Sequence, residues 1–157
     1  MKKATLCFLL RETDAGQEVL LAVKKRGFGR GKWNGPGGKV GDELIEEAAI
    51  RETVEEVGVE VTGLEKVAIL TFYFTAPELQ GENQEVHVFL TRSWKGDPAE
   101  SEEMRPQWYL CDEIPYDLMW ADDEFWLPRV LAGERLKAVF TFSDSETITD
   151  QEIVPWD

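Results

Sequence analysis

Cations are scarce in this 157-residue chain: 17 Lys and Arg against 31 Asp and Glu leave a formal net charge of −14. That balance argues against a protein that tracks nucleic-acid phosphates and against one that binds anionic membrane surfaces. A small polyanion would be repelled as well, unless metal ions and a few placed cations mediate. Cysteine is almost missing. Cys7 and Cys111 are the two thiols, and with no secretory hallmark around them a reduced, cytoplasmic setting is expected rather than a disulfide. No stretch approaches the ~20 apolar residues of a membrane span. Residues 1–10 faintly mimic a signal peptide, but Arg11 and Glu12 interrupt the run and no small-residue cleavage site follows. The single histidine, His87, sits in a strand-like run and is assigned no role. Internal repeats, low-complexity segments and domain boundaries are also missing, so residues 1–157 are expected to form one domain with its own core.

What is present is alternation. Residues 4–10 and 18–23 read as strands joined by a polar turn. Residues 66–74 and 85–93 read as two more, separated by a polar loop over 78–84. Residues 95–103 read as a loop, 105–111 as a strand, 116–131 as a helix, and 137–143 with 147–153 as a terminal hairpin. Strands interleaved with two helices imply a layered α/β fold.

Three stretches carry chemistry. In residues 37–59, GGKVGDELIEEAAIRETVEEVGV, a helical wheel gathers Ile45, Ala48 and Ala49 into an apolar stripe. Glu52 and Glu56 lie in its continuation and Glu55 at its edge, while Glu46 and Glu47 point away. Carboxylates on a buried face repel one another and lose hydration, which a cation relieves. Mg²⁺ suits such a site, because it takes a few carboxylates together with substrate phosphates. A solvated glutamate-rich helix is the plainer account of the same composition. Gly58 reads as its C-cap. Residues 24–32, KKRGFGRGK, form a cationic glycine-rich loop whose backbone N–H groups can approach phosphates, or else a merely solvated loop. Residues 119–126, MWADDEFW, set tryptophans on either side of paired aspartates. Trp stacks on a flat heterocycle while carboxylates accept from ring N–H and amino groups. Alternatively Asp122 or Asp123 caps a helix and Trp126 belongs to the core. In an aromatic pocket the two carboxyls raise each other's pKa, so one is expected to stay protonated near neutrality.

The first stretch resembles the signature of the Nudix family, Gly-x5-Glu-x7-Arg-Glu-U-x-Glu-Glu-x-Gly-U, where U is a bulky aliphatic residue. Gly37, Glu43, Arg51, Glu52, Glu55, Glu56, Gly58 and Val59 fit its spacing. Thr53 departs from it, and Gly37 rather than Gly38 satisfies the first interval. The flanking stretches KKRGFG, WNG, EEMRP and MWxDD are similar to the branch of that family acting on oxidised purine nucleoside triphosphates.

This resemblance implies an α/β/α sandwich with a mixed β-sheet between helices. It also implies Mg²⁺, with Mn²⁺ able to substitute, and hydrolysis of 8-oxo-dGTP and 2-oxo-dATP to monophosphate and pyrophosphate. By position, Asn34, Asp122 and Asp123 read the base, and Phe28, Phe72, Trp120 and Trp126 wall the pocket. Thr5 and Lys24 lie near sugar and phosphates, and Gly37, Gly38 and Lys39 line the substrate. Gly37, Glu52, Glu55, Glu56 and Glu103 correspond to metal ligands, with Glu56 or a neighbouring glutamate as the base. Arg51 reads as an ion-pair strut, to Glu43, that supports them. The poorest match is residues 80–84, longer and more polar here than the family's apolar pocket edge. The partner implied is a small-molecule nucleotide, met by a monomer, with no nucleic acid or membrane. Two alternatives stay open: a Nudix pyrophosphatase for a nucleotide sugar or dinucleotide polyphosphate, and a non-catalytic nucleotide sensor.

Overall fold

The structure, a computed structural model, describes residues 1–156. Its frame is an eight-stranded mixed sheet. β1 (Lys2–Thr13) is long because residues 4–10 are nearly all buried apolar groups, which only a sheet covered on both faces accommodates. It turns at Asp14 and Ala15 into antiparallel β2 (Gly16–Lys24). On its other side β1 runs parallel to β6 (Gln84–Thr91), which pairs antiparallel with β5 (Glu65–Phe74). β5 is parallel to β9 (Leu136–Phe142), and β10 (Ile148–Pro155) closes that edge as a hairpin. At the opposite edge β2 pairs with β3 (Trp33–Asn34) and β8 (Met104–Leu110).

The period of two decides what lies on each face. Ala4, Phe8 and Leu10 point into a cluster with Trp126, Leu127 and Val130 of helix α2 (Asp123–Leu131). Cys7 and Leu9 point the other way, onto Ala49 and Val57 of helix α1 (Ile45–Val57). One helix therefore covers each face, as the sandwich reading expects. Gly58 ends α1 in the left-handed region, φ 77°, and its N–H bonds the Val54 carbonyl. Thr53, in place of a bulky aliphatic, is fully buried and satisfies its hydroxyl on the Ala49 carbonyl at 2.7 Å.

Four features differ from the sequence expectation. The helix over 116–131 divides into a 3₁₀ turn, Tyr116–Leu118, and α2, because Met119 is extended and drops into the core. The polar loop over 78–84 contains a 3₁₀ turn, Pro77–Glu82. The strand over 85–93 stops at Thr91, and β7 (Ser93–Lys95) pairs with β4 (Glu60–Thr62) as a separate two-stranded sheet. β3 is two residues long and owes its existence to β2. His87 is a packed residue. Lys66 Nζ donates to its Nδ1 at 2.9 Å, which leaves the proton on Nε2 facing Glu85 at 2.6 Å, and burial holds its pKa down. Cys7 and Cys111 are both free thiols, and burial pushes Cys7 up to about 12.

The feature that makes a site is a split in the sheet. β1 pairs with β2 only from Leu10 to Thr13. Nearer its start, the chain after β3 takes β2's place: Cys7 N–H bonds Pro36 O at 2.7 Å, Thr5 N–H bonds Gly38 O at 2.9 Å, and Val40 N–H bonds Lys3 O at 2.9 Å. A Cβ on Gly37 would lie 1.8 Å from the Thr5 carbonyl oxygen, so the approach is open to glycine alone. Gly37→Ala is accordingly expected to cost more than about 3 kcal/mol in urea unfolding. Gly41→Ala, whose Cβ would meet nothing nearer than Glu43 Oε1 at 3.5 Å, should stay within about 0.5 kcal/mol of the parent. Equal stability of the two variants would mean the strand contact is misplaced.

Candidate active site

The cavity in this split has two chemically distinct ends. At the first, α1 presents Glu56, whose carboxylate accepts from Gly37 N–H at 2.7 Å and is 8% exposed. Loss of hydration, then Glu52 and Glu103 nearby, pushes its pKa up to about 7 against the pull of the Gly37 N–H and of Lys24. Glu52 is also raised, by desolvation first. It packs so close to the turn that a Cβ on Gly38 would sit 2.4 Å from its carboxyl carbon.

Arg51 is the strut beneath. Its Nε and Nη2 hold both oxygens of Glu43 at 2.8 Å, Nη2 also holds the Lys39 carbonyl at 3.1 Å, and Nη1 holds Glu52 at 2.8 Å and Glu55 at 3.2 Å. This fork keeps the Glu43 carboxyl down at about 2. Helix and glycine turn are thus one unit.

Three expected members of this end stand apart. Glu55, at the edge of the buried face, is exposed and pairs with Arg51 one turn earlier. Glu103 pairs with Arg26, whose guanidinium holds its carboxyl below the usual carboxylate range. Lys39 contributes only its carbonyl, and its side chain is exposed. Among the described residues no three His, Cys, Asp or Glu side chains converge as a bound ion requires. Two arginines supply the positive charge that Glu52, Glu55 and Glu103 use here. The donor set is nonetheless all hard oxygen, and Glu52 and Glu103 both act electrostatically on Glu56, so the residues fit a hard divalent cation.

The second end is aromatic and acidic. Phe28, from the glycine-rich loop, packs on Trp120 at 5.0 Å between centroids and edge-on to Phe74 at 5.9 Å. Phe72 stacks on Phe140 at 5.8 Å. Phe28, Phe72, Phe74, Trp120 and Phe142 all line the cavity. Asp122 occupies the cap position of α2 but makes no capping bond. Its carboxylate instead accepts from the Trp126 indole N–H at 2.8 Å. Trp126 lies at the cavity's base and is wholly buried, edge-on to Phe8, so it serves both core and wall. Both aspartates are 2% exposed, and Asp123 Oδ2 is a buried oxygen with no protein partner. Desolvation lifts Asp122 to about 6, and desolvation with the neighbouring Asp122 charge holds Asp123 well above its ordinary range. Burial thus favours the protonated form at this pair. The plainer account holds in part: Asp122 and Asp123 open α2 and Trp126 sits in the core, but neither aspartate makes a side-chain capping bond there.

Between the ends lie Thr5, Lys24, Asn34, Gly37 and Gly38. Asn34 Oδ1 accepts from Gly35 N–H at 2.8 Å, which leaves its NH₂ for a ligand. Thr5 turns its hydroxyl toward the Gly38 carbonyl at 3.4 Å. Lining residues that sequence reasoning did not assign include Lys32, Phe74, Gln84 and Phe142. Lys32 reaches over the Trp120 ring at 5.1 Å to Glu146 at 3.0 Å. The phenylalanines were legible as strand residues, but not their face.

Residues 1–130 match the NUDIX domain family. Over 136 residues the chain is 46% identical to the oxidized purine nucleoside triphosphate hydrolase of Danio rerio, covering 86% of this chain and 85% of that one. It is 48% identical over 134 residues to the protein of the same name from Mus musculus, covering 84% and 83%. Among solved structures, the MutT protein of Bacillus halodurans superposes over the whole of both chains with a TM-score of 0.82 at 26% identity.

A raised carboxyl is a cost to the fold once it ionises. Glu56's contribution is fully present below its ordinary value of 4.5 and is lost as pH rises toward about 7. In chelator, the wild type should therefore fall behind Glu56→Gln by about 3 kcal/mol between those values, read by urea unfolding at stepped pH. Parallel curves would show that Glu56 is not desolvated.

Proposed function

We propose, from the premise that this chain belongs to the NUDIX domain family, that it hydrolyses oxidised purine nucleoside triphosphates, 8-oxo-dGTP and 2-oxo-dATP, to monophosphate and pyrophosphate, clearing the nucleotide pool. The observation that carries this reading is the buried aspartate pair. A partnerless carboxyl oxygen at the end of an aromatic slot is a group waiting for a donor on a flat ring. The two relatives named for this activity, each close to half identical over most of their length, support the same assignment.

The residues divide the work. Phe28, Phe72 and Trp120 grip the base, Asn34 gives its NH₂, and Asp122 with Asp123 reads the N–H edge. Lys24 answers phosphate charge beside the Gly37–Lys39 turn. Nudix hydrolases need a divalent metal, here assigned as Mg²⁺ with Mn²⁺ as a substitute. Glu52, Glu55, Glu56, Glu103 and the Gly37 carbonyl are the groups to hold it. Gly37 is preferred to Gly38, whose carbonyl is already bonded to Thr5. When bound, the metal neutralises phosphate charge and makes water a better nucleophile. Glu56, poised near neutrality, takes the proton from the attacking water as the bond between the α- and β-phosphates breaks. Arg51 acts through Glu43, Glu52 and the Lys39 carbonyl as a positioning residue. The chain is assigned to act as a single-domain monomer on a free nucleotide.

A panel of 8-oxo-dGTP, 2-oxo-dATP, dGTP and ADP-ribose, followed by chromatography of the nucleoside monophosphate formed, tests this with Asp122→Asn and Asp123→Asn alongside the wild type. Each variant should lose roughly ten- to a hundredfold in kcat/KM, and unequally for the two oxidised substrates, since the pair must be ionised for one and protonated for the other. Turnover of ADP-ribose alone would point to a nucleoside diphosphate pyrophosphatase, and no turnover at all to a nucleotide sensor.

A further inference from the structure

Where β5 and β6 line the cavity, Gln84 is the one polar residue among Leu70, Phe72, Phe74 and Val86. Lys2 of β1, Gln84 of β6 and Phe72 of β5 lie in register across three adjacent strands. Two residues along β6, Val86 lines the same cavity, and the strand period sets Gln84 on its face. Gln84 Nε2 donates to the Glu82 carbonyl at 3.1 Å. Glu82 is tied in turn to Lys2 Nζ at 3.1 Å, and the side chain of Asn83 accepts from Phe74 N–H at 2.7 Å. The polar turn Pro77–Glu82 is thus a bracket. It occupies one of the two N–H donors of the Gln84 amide and takes up neither lone pair of Oε1, so the carbonyl end of this cavity-lining side chain is free to accept. Such an acceptor, half-buried among aromatic and aliphatic groups, welcomes a ligand N–H. It rejects a ligand atom that is itself an acceptor, because two lone pairs would then face each other away from water.

A purine oxidised at C8 differs from its parent in this respect. C8 gains a carbonyl oxygen and N7 gains a hydrogen, so an acceptor becomes a donor. The N1–H and 2-amino edge of guanine is the same in both forms. Asp122 and Asp123, reading that edge, cannot tell damaged from undamaged base. We propose that Gln84 is the specificity-determining residue that does, by accepting from the N–H that oxidation places on the five-membered ring. This rests on the reading of the cavity as an oxidised-purine site.

The test is the ratio of kcat/KM for 8-oxo-dGTP over dGTP in wild type, Gln84→Met and Gln84→Glu, with a thermal melt of each variant to verify folding. Methionine fills the space of glutamine without the acceptor, whereas glutamate keeps an acceptor. Gln84→Met should shrink the ratio about tenfold, through a higher KM for the oxidised substrate at unchanged kcat, while Gln84→Glu retains most of the preference. A merely structural residue would shift both substrates together. An unchanged ratio in Gln84→Met, or a parallel loss of both activities, overturns the proposal. A wild type with no preference for the oxidised nucleotide overturns the underlying reading first, before any substitution is made.

Discussion

One carboxylate that water scarcely reaches, Glu56, sets the terms for the molecule around it. Its single backbone partner is the N–H of Gly37, and Gly37 presses on the β1 backbone too closely for any side chain. The bond therefore fastens α1 to the glycine turn, and the turn to the opened edge of the central sheet. Arg51 completes the lock from below through Glu43 and the Lys39 carbonyl. The charged box is held as one rigid body, and its position is what turns a split between strands into a cavity.

The cost of this arrangement is electrostatic, and it recurs at the far end. Glu56, Asp122 and Asp123 are all raised by desolvation. A fold selected only for stability would fill such places with apolar groups. Three buried carboxyls on one cavity make sense if ligands relieve them: a cation and phosphates at one end, ring N–H groups at the other. Pairing also separates the two tasks. A group near neutrality at Glu56 can move a proton, while protonation at the aspartates lets recognition adapt without moving the backbone.

Much of this was legible in the sequence because it is local. The spacing of Glu43, Arg51 and Glu56 on a turn and a helix fixes which side chains meet. Gly58 marks the helix end, and adjacent aspartates between tryptophans must perturb each other wherever they fold. What escaped depends on distant pairing. Gln84 faces the cavity only because β6 registers against Phe72 and Lys2, and Phe142 only because β9 runs parallel to β5. β3, β4 and β7 are too short to show a period. The break at Met119 was hidden because helical propensity continues through it while burial does not.

This chain belongs to the Nudix fold and family, and the proposed function gives its acidic slot the task of reading a base. That is tested most directly by calorimetric titration with 8-oxo-dGMP and with 2-oxo-dAMP in two buffers of different ionisation enthalpy, at about pH 7. If Asp122 and Asp123 read the base through a movable proton, 8-oxo-dGMP should expel a proton on binding and 2-oxo-dAMP should not. Equal proton exchange for the two nucleotides would contradict it.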